Sequence, residues 1–183
     1  LVISSGQQES NIFDILEDIK PVRGRMELAA TRKNGATVYV DYAHTPDAIE
    51  VALKSLKPHI LGKLIVIIGA GGERDEGKRP LMGAAAEKNS DFVIITDDNP
   101  RNEDPSSIHQ MIKNGIQDNS KVTVIADRAE AILTAVDLLE EGDGLLIAGK
   151  GHETEQFIGE NIFPFDDFEQ ASLSAASLDG AEQ

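Results

Sequence analysis

Residues 63–97 read "KLIVIIGAGGERDEGKRPLMGAAAEKNSDFVIITD", and this stretch decides the fold. It contains an apolar run rich in Ile and Val, a glycine-containing loop, an alanine-rich helical pattern and a second apolar run. Strands that are apolar almost throughout are typical of parallel sheets covered on both faces. Because two parallel strands need a crossover between them, usually a helix, the stretch predicts a βαβ unit in an α/β protein.

The rest of the chain repeats this alternation of apolar runs and amphipathic stretches. A sixth strand and a last helix are expected after the main alternation, with the strand pairing with residues 161–164 across a turn. The predicted strands are 36–41, 63–69, 91–97, 121–126, 144–149 and 155–158, and the predicted helices are 46–57, 80–89, 105–118, 127–141 and 166–176. The pattern predicts a Rossmann-like, doubly wound, mostly parallel sheet of about six strands flanked by helices.

The composition defines three segments along the chain. Residues 1–22 contain a helical pattern and a linker, residues 23–172 carry the α/β alternation, and residues 173–183 are expected to be a disordered tail of small and polar residues. Because the first residue is Leu1 rather than Met, we expect the sequence to be a piece of a longer protein.

The composition also excludes several classes of function. The 183 residues carry a formal charge of −15, which argues against nucleic-acid and anionic-membrane partners. The absence of Cys excludes disulfides, zinc–thiolate sites and thiol catalysis. No apolar run approaches the roughly 20 residues that span a bilayer, and the N-terminus lacks the features of a signal peptide. A cytoplasmic location is therefore expected.

The loop at 69–80, "GAGGERDEGKRP", superficially matches two phosphate-binding motifs. The P-loop needs Ser or Thr after its Lys to ligate Mg²⁺, and Arg79 stands there instead. The dinucleotide motif needs a third Gly where this chain has Arg74. The loop also contains acidic residues that would repel phosphate, so a different ligand is expected.

Polar residues follow four of the predicted strands, at the edge where ligands bind in open α/β sheets. Two Arg residues combined with carboxylates suit a zwitterion, because Arg binds carboxylates bidentately and carboxylates accept from ammonium groups. An amino acid is therefore the expected ligand, while His59 and His109, isolated on predicted helices, are expected at the surface. The convergent residues are Asp41, His44, Arg74, Asp98, Asn99, Arg101, Lys150, His152 and Glu153.

Each of these stretches also has a purely local explanation. Asp41 with Thr45 could cap the following helix, and residues 98–100 form a favourable turn sequence. The glycines within 149–151 could simply allow the backbone to turn. Such explanations are less plausible together, at successive strand ends, than singly.

Five segments, "GRMEL", "DYAHTPDAIEVAL", "GAGGERDEGKRPLMG", "TDDNPR" and "AGKGHE", occur in this order and resemble the C-terminal domain of the Mur ligase family, in particular its tripeptide synthetases. The resemblance covers residues 1 to about 172. It implies that 1–22 are the last helix and linker of a central ATPase domain, and that 23–172 are the C-terminal domain.

The resemblance also implies an activity for the full-length parent. Such enzymes are ATP-dependent acid–amino-acid ligases of bacterial peptidoglycan synthesis, which form an acyl phosphate on UDP-MurNAc-L-Ala-D-Glu and join it to an amino acid. This chain lacks a P-loop, so by itself it is expected to be inactive. ATP and Mg²⁺ are expected to be bound mostly by the missing central domain, with no metal ligands in this chain.

Matching the family's motifs residue by residue implies roles for individual positions. L-lysine lacks a second carboxylate and would leave Arg101 unpaired, so meso-diaminopimelate is the implied amino acid. The implied meso-diaminopimelate contacts are Arg74, Asp98, Asn99, Pro100, Arg101, Gly149 and Glu153; the nucleotide-facing residues are Arg25, Asp41, Tyr42 and His44; and Lys150 and His152 are accessory.

Three alternatives stay open from the sequence. The domain could belong to an L-lysine-adding ligase, to a folylpolyglutamate-type ligase, or to a non-catalytic module that binds an amino acid. A phospho-receiver domain fits poorly, because its acidic pair should follow the first strand, whereas Asp97 and Asp98 follow the third. We expect a monomer without nucleic-acid or membrane partners.

Overall fold

A computed structural model describes residues 22–180, so the predictions for 1–21 and 181–183 lie outside the described part of the chain. A six-stranded sheet has the strand order β1-β2-β6-β3-β4-β5, and a separate hairpin is formed by β7 and β8. Within the large sheet β1 runs antiparallel to β2 and the other neighbours are parallel. The strands are β1 (Glu27–Thr31), β2 (Thr37–Asp41), β3 (Leu64–Ile68), β4 (Phe92–Ile95), β5 (Val122–Val124), β6 (Gly144–Ala148), β7 (Glu155–Ile158) and β8 (Asn161–Pro164).

Helices cover both faces of the large sheet, which confirms the predicted doubly wound architecture. The helices are α1 (Pro46–Leu56), α2 (Lys78–Asn89), α3 (Pro105–Lys113), α4 (Arg128–Asp137) and α5 (Asp167–Leu178). Alternate residues of β3 point to opposite faces, so that Val66 packs among α1, α2 and α3 while Ile67 packs among α4 and α5. No helix within residues 22–180 is long and apolar enough to cross a membrane.

Two helices begin at the predicted proline and a third does not. Thr45 caps α1 and Asp104 caps α3 through their side-chain oxygens, and each is followed by a proline at the first helical position. Pro80, in contrast, lies inside the first turn of α2, which begins at Lys78. Proline is tolerated there because the amides of the first turn have no intrahelical acceptor.

The sixth strand of the large sheet is not the one predicted from the sequence. Residues 155–158 do pair with 161–164 across Gly159-Glu160, but the resulting hairpin stands apart from the large sheet. The sixth position is taken by β1, which lies in a segment where the sequence pattern predicts no strand. Its sequence "ELAAT" is short and lacks clear alternation, so its pairing with β2 rather than its local pattern makes it a strand.

The predicted helix at 166–176 is confirmed as α5, and the overlapping prediction of a disordered tail at 173–183 is wrong for most of that segment. Helix α5 continues to Leu178, well into the segment 173–183. Ser174 and Ala175 are buried there, because small side chains allow the helix to lie close to its neighbours. Small and polar residues are also typical of disordered segments, which is why the sequence predicts a disordered tail there.

An ion pair fastens the end of α5 to the turn between β1 and β2. Asp179 accepts hydrogen bonds from the Arg32 Nε and the Lys33 amide, each at 2.8 Å. The hydrogen bond from Arg32 holds the pKa of Asp179 below its ordinary value. The stability that this carboxylate adds is therefore present above about pH 4 and is lost as the pH falls through its lowered folded-state pKa.

We expect Asp179→Asn to lower the melting temperature at pH 7 and to have a progressively smaller effect as the pH falls below 4, because protonation neutralises the same carboxylate in the parent chain. Thermal melts followed by circular dichroism at pH 7, 5 and 3 would measure this convergence. An equal loss of stability at every pH would contradict the proposed contribution of the charge.

Candidate functional site

A cleft of about 260 Å³ opens at the carboxyl ends of the central strands. Strands β2, β6, β3 and β4 are neighbours in the sheet, so the loops that follow them meet at one edge. The sequence-predicted residues that the structure brings to this cleft come from all four loops. The lining residues are Tyr42, His44, Ala70, Gly71, Arg74, Lys78, Asp98, Asn99, Arg101, Gly149 and Glu153.

The cationic side of the cleft is formed by Arg74 and Arg101. Arg101 has a positive φ of 53°, and its amide donates to the Phe157 carbonyl of the hairpin at 3.0 Å. Its Nη1 donates to the Gly72 carbonyl at 2.8 Å, while its Nε and Nη2 have no acceptor within residues 22–180. Arg74 is exposed and forms no ion pair in that range. Both guanidinium groups therefore retain donors for a ligand.

The acidic side is formed by Asp98 and Glu153. Asp98 is buried, and its carboxylate receives no hydrogen bond from the described residues. Gly149 permits this arrangement: its φ is +119°, and a Cβ at this position would lie 2.6 Å from Oδ2 of Asp98. Glu153 is held by Asn99, whose Nδ2 donates to Oε2 at 3.0 Å. Its second carboxylate oxygen has no partner in that part of the chain.

A buried lysine lies behind this acidic side. Lys150 is fully buried, and its Nζ donates to Oδ1 of Asn99 at 3.1 Å and to the Glu155 carbonyl at 2.6 Å. Oδ1 of Asn99 also accepts from the Phe157 amide at 3.0 Å, which ties the site to the hairpin. Lys150 and Pro100, both buried, are not among the residues that line the cleft.

An aromatic surface borders the cleft on the β2 side. The Arg25 guanidinium lies 4.7 Å from the Tyr42 ring centroid, and the rings of His44 and His152 lie 4.6 and 5.1 Å from it. Asp41 does not cap α1; its carboxylate accepts from the amides of Met26 and Ala43 at 2.7 and 2.8 Å and so fixes the backbone beneath this surface.

Three cationic residues at the site are not among those predicted from the sequence. Lys78 lines the cleft, and its Nζ donates to the His44 carbonyl at 3.0 Å. It belongs to the Gly-Lys pair of the P-loop-like motif, and because Arg79 breaks that motif, the sequence pattern assigns Lys78 no role. Arg79 and Arg128 are fully buried beneath the loops, and the only sequence signal for them is their position within the segments that follow β3 and β5.

Arg128 connects three elements beneath the acidic side. Its Nε and Nη2 donate to the two oxygens of Asp167 at 2.7 and 2.8 Å, and Nη2 also donates to the Ala148 carbonyl at 3.0 Å. Nη1 reaches the Asp97 carbonyl at 3.3 Å. Burial alone would lower the pKa of Arg128, but the charge and hydrogen bonds of Asp167 outweigh it and raise the pKa. The guanidinium therefore stays charged.

The prediction that His109 lies at the surface is wrong. His109 is buried on α3, and its Nε2 lies 2.7 Å from Oδ1 of Asp97, although neither atom has a well-aligned hydrogen-bond partner within residues 22–180. No local pattern indicates this contact, because it depends on how α3 packs against the end of β4. His59 is exposed, as expected.

The geometry of the strand ends agrees with a family assignment. The family model described as "Mur ligase, glutamate ligase domain" matches residues 24–151, which include the loops that follow β2, β3 and β4 and the start of the loop after β6. The chain belongs to the Mur ligase family.

Comparison with individual relatives shows which type of Mur ligase the chain is most similar to among those compared. A UDP-N-acetylmuramoyl-L-alanyl-D-glutamate--2,6-diaminopimelate ligase from Bradyrhizobium diazoefficiens is 48% identical over 97% of this chain and 36% of its own length. A solved structure with the same enzyme name is 39% identical, with a TM-score of 0.81 over 96% of this chain and 36% of that chain. These similarities confirm the predicted resemblance to the tripeptide synthetases (MurE).

A solved structure of another enzyme type is less similar. A folylpolyglutamate synthase structure from Thermotoga maritima is 26% identical, with a TM-score of 0.58 over 81% of this chain and 32% of that chain. This chain spans about a third of the length of the curated relatives and solved structures described above. Within residues 22–180, no group of three or more His, Asp and Glu side chains is placed to hold a metal ion.

Proposed function

We propose that this domain holds meso-diaminopimelate for an ATP-dependent ligase that joins it to UDP-MurNAc-L-Ala-D-Glu. The observation that carries the proposal is a set of four charged groups on one cleft, each with hydrogen-bonding capacity left for a ligand. Two are guanidinium groups, from Arg74 and Arg101, and two are carboxylates, from Asp98 and Glu153. meso-Diaminopimelate has two carboxylates and two ammonium groups, so it can pair with all four.

The cleft favours this amino acid over the alternatives. L-lysine has one carboxylate and would leave the free edge of one arginine unpaired, which costs binding energy. L-glutamate has one ammonium group, so within residues 22–180 either the Asp98 carboxylate or the second oxygen of Glu153 would be left without a partner. The relatives named for diaminopimelate ligation are also more similar to this chain than the folylpolyglutamate synthase is.

The chain's own residues would orient the acceptor and leave the phosphoryl chemistry to other parts of the ligase. The carboxylates of Asp98 and Glu153 would hold the ammonium groups, and the arginines would fix the carboxylates, so that one amine faces the activated substrate. ATP supplies the phosphoryl group that activates the acyl substrate. The cationic and aromatic surface of Arg25, Tyr42 and His44 fits a nucleotide.

The remaining expectations stay predictions about the parent enzyme. The Mg²⁺ ligands are proposed to lie mostly in the central domain of the ligase, where the P-loop is expected. Lys150 and His152 are proposed as accessory groups, with Lys150 acting from behind Asn99. A cytoplasmic location and a monomeric state are proposed for the parent enzyme, and the charge of −15 argues against nucleic-acid and anionic-membrane partners.

A chemical-shift titration tests the acceptor. We expect meso-diaminopimelate to give saturable shifts in Arg74 and in the segments 98–101 and 149–153 of the labelled chain, because its four charged groups contact these loops. L-lysine and L-glutamate serve as controls and should give weaker shifts. An equal response to L-lysine would refute the role of the second carboxylate, and a stronger response to L-glutamate would favour the folylpolyglutamate-type alternative.

A further inference from the structure

A buried ion pair connects the two loops that carry the cleft arginines. We define the Arg74 loop as residues 69–77 and the Arg101 loop as residues 96–104. The Arg79 side chain is fully buried, and its Nη1 and Nη2 donate to the two oxygens of Glu103 at 2.5 and 2.7 Å. Arg79 lies in the first turn of α2, two residues after the first loop, and Glu103 lies in the second loop, so the pair joins the loops from beneath.

The same carboxylate also holds the backbone next to Arg74. Oε2 of Glu103 accepts from the Glu73 amide at 3.0 Å. Glu73 has a φ of 56°, a conformation that residues other than glycine adopt reluctantly. Nη2 of Arg79 donates to the Gly71 carbonyl at 3.3 Å, two residues before Glu73. Glu103 therefore stabilises the strained turn from which Arg74 projects.

Direct contacts between the loops leave little freedom of movement. The Gly72 amide donates to the Asn99 carbonyl at 2.9 Å, and Nη1 of Arg101 donates to the Gly72 carbonyl at 2.8 Å. A Cβ at Gly72 would lie 1.9 Å from the Pro100 carbonyl oxygen, so the two backbones leave no room for a side chain between them. The ion pair raises the pKa of Arg79 and lowers that of Glu103, mainly through their mutual hydrogen bonds, so both partners stay charged.

We propose that Arg79 and Glu103 are positioning residues that lock the Arg74 and Arg101 loops at one separation and thereby set selectivity for an amino acid with two carboxylates. Neither residue lines the cleft, so both act through the arginines rather than on the ligand. The selectivity part of this inference rests on the proposed function, whereas the locking of the loops does not. Bidentate recognition depends on fixed geometry, and a loosened loop would weaken it.

The test compares Glu103→Gln with a matched control in the 183-residue chain. The control is Asp179→Asn, because Asp179 likewise pairs with an arginine and accepts from a backbone amide, but lies away from the cleft. We expect the Gly72 amide to exchange with solvent at least about tenfold faster in Glu103→Gln and at an unchanged rate in the control, with the central-strand amide of Val66 as reference. Arg79→Lys keeps the charge but cannot pair bidentately with Glu103, so the Gly72 amide should exchange faster in this variant as well. It replaces Glu103→Gln in the test if that variant does not fold.

Calorimetric titration then measures selectivity. We expect Glu103→Gln to weaken meso-diaminopimelate binding about tenfold or more, with little effect on L-lysine, so that the ratio of the two affinities falls. Unchanged Gly72 exchange, or faster exchange with an unchanged affinity ratio, would overturn the inference. If the unsubstituted chain binds neither amino acid, the proposed function fails for this chain, and the exchange rate still decides whether the ion pair locks the loops.

Discussion

Asp167→Asn is expected to lower the free energy of unfolding of this chain by about 3–5 kcal/mol, the cost of leaving one member of a buried ion pair unpaired. Arg128 and Asp167 both have fully buried side chains, and their bidentate contact supplies the counter-charge for a guanidinium that water does not reach. Asparagine would keep the shape of the carboxylate without its charge. Urea unfolding followed by circular dichroism would measure the change in free energy.

The neighbouring residue gives a matched control for this substitution. Asp166 caps α5 and pairs with the largely exposed Arg23, and asparagine caps helices about as well as aspartate. Asp166→Asn should therefore cost only about 0–1 kcal/mol. A loss of less than about 1 kcal/mol for Asp167→Asn would show that Arg128 does not depend on this partner.

The double substitution Arg128→Met with Asp167→Leu separates stability from site geometry. Replacing a whole buried pair by apolar residues is often neutral for stability, so most of the lost stability should return. Arg128 also holds the carbonyls of Ala148 and Asp97 at the ends of β6 and β4. We therefore expect the double variant to bind amino acids more weakly although it is folded.

Arg101→Ala is expected to weaken binding of meso-diaminopimelate by about 100-fold or more. Nε and Nη2 of Arg101 have no acceptor within residues 22–180 and can form two hydrogen bonds to a carboxylate. Such charged hydrogen bonds contribute about 1.5–3 kcal/mol each, and about 1.4 kcal/mol corresponds to a factor of ten. The positive φ of residue 101 gives alanine no new strain relative to arginine. Calorimetry with meso-diaminopimelate and L-lysine would measure both affinities.

Two further variants test whether bidentate binding by the Arg101 guanidinium, rather than its charge alone, accounts for the affinity. Arg101→Lys keeps the charge but cannot bind bidentately, so it should recover only part of the affinity. Arg25→Ala removes an exposed arginine from the aromatic surface and should leave amino-acid binding unchanged. If Arg101→Ala weakens L-lysine and meso-diaminopimelate equally, the residue does not recognise the second carboxylate.

The main alternation of the fold is predictable from the chain because its signals are local. The apolar run of β3 and the cap and proline at Thr45-Pro46 each specify a strand or a helix start through neighbouring residues. Where the signal is not local, the prediction fails. β1 is a strand only by pairing with β2, and the small residues of 173–178, which suggest a disordered tail, are held in the predicted helix α5 by the sheet and helix beside them.

The candidate site likewise has features that the sequence predicts and features that depend on tertiary contacts. Polar residues after apolar strands indicate which loops carry the chemistry, and the rule that ligands bind at the carboxyl ends of strands predicts that Arg101 and Glu153 share one edge of the sheet. No sequence pattern shows which of these groups are occupied by internal contacts. Lys150 faces the interior and Asp41 binds backbone amides, whereas Lys78 reaches the cleft.

The sequence by itself therefore determined the α/β class, the loops that form the cleft and the mixture of charges on them, because these follow from periodicity and from residue types near one another in the chain. Only the tertiary structure decided that β6 lies between β2 and β3, and that Arg79 meets Glu103 and Arg128 meets Asp167. These pairs join residues far apart in the chain. Their charges attract strongly only where folding has brought them together away from water, and this attraction offsets the cost of burying them, so no local pattern of residues encodes them.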